Sequence, residues 1–311
     1  MAVPFTFFLN AGSGSQDVES LQEILQRVIP RERLGSIHIV RQGDDFGSVL
    51  DRALEDCRRS QGVLVAAGGD GTLSSVIGRV MPLGIRLGII PQGTFNYFAR
   101  QYGIPVQPEE AVAALLTAEP VKLPVCLLNG EPFLVNVSLG IHTKIIEARE
   151  RHTRLTGRNR VVAFVSGAIT LFKEQYSLRA RLTLDDCLLA RRATMVLVSN
   201  NRLQLENLAL APSDEDTDCG DSMAVVIMRP LSRRALVMLL WRRLLGYMET
   251  APEVEHYSAR HVDIRLTRSM ASVVMDGELR RFRTPLRLRL QPDAITCLLP
   301  RVAEKVAEED S

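Results

Sequence analysis

Along the first 120 residues, hydrophobic and polar positions switch between two periods. The short apolar runs FTFFLN, SIHIV, VLVAA and LGIIP read as strands. Between them, Val18–Ile29 and Phe46–Arg59 carry apolar residues at three- and four-residue spacing, which predicts helices. Strands alternating with helices imply crossover units and a mostly parallel sheet. Ligands of such sheets sit beyond the carboxyl ends of the strands. Three runs end in small polar loops, NAGSGS (10–15), GGDGT (68–72) and PQGTFN (91–96). Their convergence at one sheet edge predicts a single cleft.

After Pro120 the pattern changes to antiparallel β. VKLPVCLLNGEPFLVNVSLG places Asn129-Gly130 between apolar runs, a hairpin signal. YSLRARLTLDDCLLARRATMVLVSNN predicts two long alternating strands around Asp185-Asp186, and further strands are predicted at Ala224–Met228, Val262–Thr267, Ala271–Met275 and Leu286–Leu290. Helices are predicted at Arg160–Lys173 and Ser232–Tyr247, and the acidic tail EKVAEEDS is expected to fray. The fold class is thus an α/β N-terminal domain with a mostly parallel sheet, followed by a C-terminal antiparallel β domain with helices.

A length of 311 residues fits two domains, and 46% hydrophobic with 24% charged residues is an ordinary globular composition. The net charge of +2 argues against a dedicated nucleic-acid binder, so no nucleic-acid partner is expected. Five cysteines (Cys57, Cys126, Cys187, Cys219, Cys297) are scattered without a CxxC pair, which predicts reduced thiols. MAVPFTFFLN lacks the basic start of a secretory signal. The apolar run Ala235–Trp241 stops at Arg242 and Arg243, well short of the roughly 20 residues that cross a bilayer. A cytoplasmic protein, at most peripheral to a membrane, is expected.

The chemistry gathers in the loops. Glycines after a strand let backbone N–H groups approach phosphate oxygens, and the N-terminus of the next helix favours negative charge. GGDGT has that setting, although a tight turn alone also needs glycines. A carboxylate there repels phosphate unless a metal bridges them, so Asp70 fits Mg-nucleotide chemistry. The motif is neither the Walker loop GxxxxGKS/T nor the dinucleotide GxGxxG. In PQGTFNYFARQYGIP, Gly93, Thr94 and Asn96 open a helix, and the plain alternative is N-capping by Thr94 or Asn96. ASVVMDGELRRF sets Asp276 and Glu278 around Gly277 between strand patterns, where a hairpin turn is the plain reading.

Together these stretches resemble the diacylglycerol kinase catalytic-domain family, which includes bacterial lipid kinases and the sphingosine and ceramide kinases. NAGSGS matches the family's N-P-x-S-G loop, GGDGT matches outright, and PQGTFNYFAR matches P-x-G-T-x-N-D-F-A-R. VNVSLG (135–140) and MDGEL (275–279) match two further blocks, all in family order. The resemblance implies a phosphofructokinase- or NAD kinase-like nucleotide-binding domain over 1–122, with 291–311 as a candidate completion. It implies a β-sandwich lipid-substrate domain over 123–290, with ATP-Mg²⁺ and lipid meeting between the two. Carried over by position, Asn10, Ser13, Gly14, Gly68, Gly69, Gly71, Thr72, Gly93, Thr94 and Asn96 would hold the nucleotide. Asp70 would bind or orient the Mg²⁺-phosphate group. Asp70 and Glu278 compete for the role of general base on the lipid hydroxyl.

The chain also departs from the family pattern. Ser15 replaces a basic residue common in relatives, Tyr97 replaces the acid of N-D-F, and residues 200–223 are rearranged. In some bacterial members that region carries a structural Mg²⁺. Asp214, Asp216, Asp218 and Asp221 are its candidate ligands here, beside the plain reading of a solvated acidic loop. Arginines at 149, 151, 154, 158 and 160, and the segment LSRRALVMLLWRRLLGYM, suit peripheral contact with an anionic membrane. Solvated arginines on a packed helix are the plain alternative. The function implied is an ATP-dependent kinase of diacylglycerol or a related lipid, with a homodimer through a β-domain edge as a further expectation. Two other readings stand beside it: an NAD kinase-like enzyme, which shares GGDGT, and a catalytically weakened nucleotide- or lipid-binding regulator.

Overall fold

The computed structural model describes residues 3–12, 18–144, 146–147, 178–207, 222–230 and 254–301. The helices predicted at Arg160–Lys173 and Ser232–Tyr247, the arginines at 149–160 and the acidic tail lie outside these residues. The chain divides into two compact units, residues 1–123 with 293–311, and residues 124–292.

The first unit is built on the strands β1 (Phe5–Asn10), β2 (Leu34–Val40), β3 (Val63–Gly68) and β4 (Arg86–Pro91). They pair in parallel in the order β2-β1-β3-β4, and Cys297, near the end of the last strand, joins β4 in parallel opposite Leu87. Phe5 to Leu9 and Val63 to Ala67 are buried throughout, as strands covered on both faces must be. The helices are α1 (Val18–Val28), α2 (Phe46–Arg59), α3 (Asp70–Val80), α4 (Tyr97–Gln101) and α5 (Pro108–Thr117). Leu21 and Leu25 of α1 and Ala111, Val112 and Leu115 of α5 pack in one core with Phe5, Phe7, Val63 and Val65. Every strand and helix predicted before Pro120 is present. The chain leaves β1 towards β2 on one side and returns to β3 on the other, so the sheet's switch point lies between the carboxyl ends of β1 and β3.

The second unit is a β-sandwich. β5 (Glu119–Leu128) crosses into it and turns at Asn129-Gly130 into β6 (Glu131–Phe133). The remaining strands are β7 (Asn136–Gly140), β8 (Leu178–Leu184), β9 (Cys187–Ala193), β10 (Met195–Ser199), β11 (Met223–Met228), β12 (Val254–Ala259), β13 (His261–Leu266), β14 (Met270–Met275), β15 (Glu278–Arg283) and β16 (Leu286–Leu299). One sheet runs β12-β11-β10-β7-β14-β15, antiparallel throughout. The facing set runs β16-β13-β8-β9, with β5 against β16. Val137, Val196, Val225 and Val273 from the first sheet share a core with Leu182, Val262, Ile264 and Leu288 from the second.

The long strand predicted after Asp185-Asp186 is two strands. Ala193 is buried in one sheet and Val196 in the other, and the chain changes sheet at Thr194, whose N–H donates to Met228 O at 2.8 Å. Three turns of this unit share one device. Asn129, Asp185 and Asp276 sit in the left-handed region at φ 51, 49 and 48, a conformation that Asn and Asp adopt more readily than most residues. Each side chain reaches a strand far away in sequence. Asn129 accepts from Arg287 N and donates to Arg283 O, and Asp185 accepts from Arg260 N and His261 N. Asp276 accepts from the N–H groups of Leu134, Val135 and Asn136.

Candidate active site

Three strand ends build the site in the first unit. β1 ends at Asn10, β3 runs through Gly68 into α3, and β4 runs into the 92–96 loop and α4. Gln92 N donates to Gly68 O at 2.9 Å, which joins the second and third loops at their roots. Beyond that point the loops approach closely enough to exclude side chains. A Cβ on Gly93 would stand 2.8 Å from Gly69 Cα, and one on Gly68 would stand 2.5 Å from Thr72 Cβ. Glycine is required at 93 by contact between loops and at 68 by contact with Thr72 of its own turn.

Much of the polar equipment predicted to hold nucleotide is used within this framework. Asn10 Nδ2 donates to Thr72 Oγ1 at 2.8 Å across the switch point, and Asn10 Oδ1 accepts from Gly12 N at 3.0 Å. Asn96 is the N-cap residue of α4 at φ 50, yet its amide folds back onto Gly93, accepting from N at 2.8 Å and donating to O at 2.9 Å. The cap of α4 comes instead from Asp70. One carboxylate oxygen accepts from Tyr97 N and the other from Phe98 N, each at 3.1 Å. N-capping by Thr94 or Asn96 is therefore replaced by a cap from 27 residues upstream.

The open groups belong to the backbone. α3 begins at Gly69 without a side-chain cap, so the N–H groups of its first turn face the strand end, where an anion is favoured. The half-buried Asp70 carries the one carboxylate in this set of loops. Each of its oxygens accepts one N–H, and a carboxylate has about four acceptor positions, so positions remain for a cation. Among the described residues no three His, Cys, Asp or Glu side chains gather as a metal cluster. A single carboxylate fits Mg²⁺ that arrives with a nucleotide, since that ion keeps waters and phosphate oxygens as its other ligands.

In the second unit, the turn at Asp276-Gly277 joins β14 to β15, as the plain reading of MDGEL expects. Asp276 spends its carboxylate on three backbone N–H groups at 2.8–3.1 Å. Glu278 is the exposed first residue of β15, with no ion pair or hydrogen bond to its carboxylate among the described residues. The Asp-Gly pair announces the turn in the sequence, but nothing local announces the bonds to 134–136. Ser13, Gly14, Asp214, Asp216, Asp218 and Asp221 lie outside the described residues.

Residues 4–128 match the diacylglycerol kinase catalytic domain, and residues 135–299 match the YegS C-terminal NAD kinase beta sandwich-like domain. The second span alone exceeds half of the 311 residues. The chain belongs to the diacylglycerol kinase catalytic-domain family. Within that family, a Staphylococcus haemolyticus protein named "Putative lipid kinase" is 23% identical over 310 residues, covering 96% of this chain and 97% of its own. An uncharacterized protein of Synechocystis is 27% identical over 196 residues, 61% of this chain, and the match spans 45% of that protein. A crystal structure of "a putative diacylglycerol kinase" from Bacillus anthracis superposes with a TM-score of 0.69 at 19% identity, covering 96% of this chain and 97% of that one. At that identity it supports the shared diacylglycerol kinase fold and no more. No helix among the described residues is long and apolar enough to cross a membrane.

Proposed function

We propose that this protein is an ATP-dependent lipid kinase that transfers the γ-phosphoryl group to the hydroxyl of diacylglycerol or a related lipid alcohol. One observation carries the nucleotide half of this reading: the N-terminus of α3 has no side-chain cap and lies beside the β1/β3 switch point, so its backbone N–H groups suit a phosphate there. Family membership supports the lipid half.

The N–H groups of the first turn of α3 bind phosphate oxygens. Asp70, fixed by Tyr97 N and Phe98 N, holds the Mg²⁺ that accompanies the nucleotide; that ion, when bound, supplies positive charge against the phosphates. Asn10 and Thr72 act as positioning residues because their hydrogen bond joins the first and second loops, and Asn96 because its amide closes the 92–96 loop onto Gly93. In the reaction, the lipid hydroxyl oxygen forms a bond to the γ-phosphorus. The bond from that phosphorus to the bridging oxygen breaks, and ADP leaves with the electron pair. The hydroxyl proton passes to a carboxylate. Asp70 and Glu278 are the two candidate acceptors that the family resemblance implies; the Glu278 carboxylate is exposed and has no partner among the described residues. A lipid substrate also calls for peripheral contact with a membrane.

Tyr97 bears on the regulator reading. Asp70 bonds to the main chain of residue 97, so the change from the family's acid leaves that contact intact, while the Tyr97 ring stacks on Phe95 at 5.4 Å. The departure at this position is compatible with an active enzyme. The deciding experiment incubates the protein with ATP-Mg²⁺ and a total lipid extract, and identifies the product by mass spectrometry. A phosphorylated lipid, lost with Glu278→Gln and Asp70→Asn, is expected. Phosphorylation of NAD with no lipid product would overturn the reading.

A further inference from the structure

Sheet register places an unusual charge arrangement on the solvent face of the second unit. Directly opposed residues on neighbouring strands share a face. Arg179 of β8 opposes Arg192 of β9, and Arg181 of β8 opposes Arg265 of β13. All four are exposed and line one groove of about 660 Å³. Like charges directly opposed destabilise a sheet, and here two such pairs stand in consecutive rows. None of the four has a hydrogen-bond or ion-pair partner among the described residues. β8, β9 and β13 contribute one acid to this face, Asp263, and Arg289 already pairs with it at 2.7 Å. Two residues along from Ala190, which opposes Arg181, Leu188 sits on the same face and is 69% exposed.

Protection of a sheet edge explains part of this. Charged side chains on an edge strand deter pairing with another chain, and β9 ends its sheet. Arg192 alone serves that purpose. Arg181 and Arg265 stand on interior strands, where no edge needs blocking.

We propose that this face docks the protein on an anionic phospholipid surface, with the four arginines against lipid phosphates and Leu188 in the apolar boundary layer. The proposal rests on the lipid-kinase reading for its reason to approach a bilayer. Charge complementarity selects an anionic partner. The exposed leucine selects a lipid interface over a nucleic acid, which offers no apolar layer, and the modest net charge of +2 agrees with a local patch.

The test is co-sedimentation of the full chain, without ATP, with diacylglycerol-free vesicles of phosphatidylcholine alone or mixed with phosphatidylglycerol. Wild type is expected to bind the mixed vesicles at low salt and to dissociate at about 0.5 M salt. Each arginine removed should lower the partition coefficient about fivefold. The double variant Arg181→Gln/Arg265→Gln then loses about 25-fold, and the variant lacking all four loses several-hundred-fold. Circular dichroism should show folded variants with a Tm at or above wild type, because opposed like charges have been removed. The assignment is overturned if the fourfold variant binds like wild type, if wild type prefers neither vesicle, or if it prefers duplex DNA to the mixed vesicles. Binding without lipid phosphorylation leaves this docking face standing and sinks the kinase reading; phosphorylation without vesicle binding does the reverse.

Discussion

Replacing Asp276 tests the framework of the MDGEL turn with no assay of activity. Its Oδ2 accepts from Leu134 N at 2.9 Å, and its Oδ1 accepts from Val135 N at 2.8 Å and Asn136 N at 3.1 Å. Residues 134, 135 and 136 are 5%, 4% and 3% exposed, so their donors have little access to water once the carboxylate is gone. A hydrogen bond to a charged group contributes about 1.5–3 kcal/mol net. Three of them sharing one acceptor group are not additive, and the half-exposed turn admits some water. Asp276→Ala should therefore cost about 3–5 kcal/mol, including about 1 kcal/mol for placing alanine at φ 48. Asp276→Asn tolerates that φ and keeps the acceptor for Val135 and Asn136, but its amide NH₂ meets the Leu134 N–H. It should cost about 1–3 kcal/mol. Urea unfolding followed by far-UV circular dichroism reads both values in the transition of the second unit. An alanine variant within about 1 kcal/mol of wild type, or an asparagine variant as costly as alanine, would refute the hydrogen-bond account.

Asp70→Ala removes the carboxylate that caps α4, and should lower stability by about 1–2 kcal/mol in the same assay, whatever its effect on turnover. Gly93→Ala drives a methyl against Gly69 Cα and Asn96 Oδ1, so binding of a non-hydrolysable ATP analogue should weaken on the order of tenfold by calorimetry. Burial holds the His142 imidazole below its ordinary value, beside Ser138 Oγ at 2.5 Å. From about pH 6.5 downward the unfolded chain therefore binds the proton more readily than the native one, and stability falls with acidification until the folded imidazole titrates too. Tm at about pH 5 should lie below that at about pH 7.5, with a smaller gap in His142→Gln.

The elements of the first unit could be read from the chain because its strands are continuous apolar runs and its helices have one buried stripe. The same reading overlooked β12, VEHYSA, which ends its sheet and lacks a clear apolar alternation. It also fused β9 with β10, because β propensity continues through Thr194 while the bend there depends on which sheet each half joins. Loop chemistry was legible as composition: glycines and one aspartate at a strand end. The direction of the Asp70 carboxylate was not, since its partners are main-chain donors that any residue at 97 and 98 supplies. Asp276 was legible as a turn and illegible as an anchor for the same reason.

The three turn side chains that reach distant strands also bear on rates. Asn129, Asp185 and Asp276 bond to partners 154, 75 and about 140 positions away. Contacts so remote in sequence are expected to close only after both segments are in place, because loop-closure entropy opposes them earlier. Loss of such a latch should then leave the folding rate nearly unchanged and speed unfolding. The lifetime of the folded β-sandwich thus depends on three residues whose local sequence says only that the chain turns.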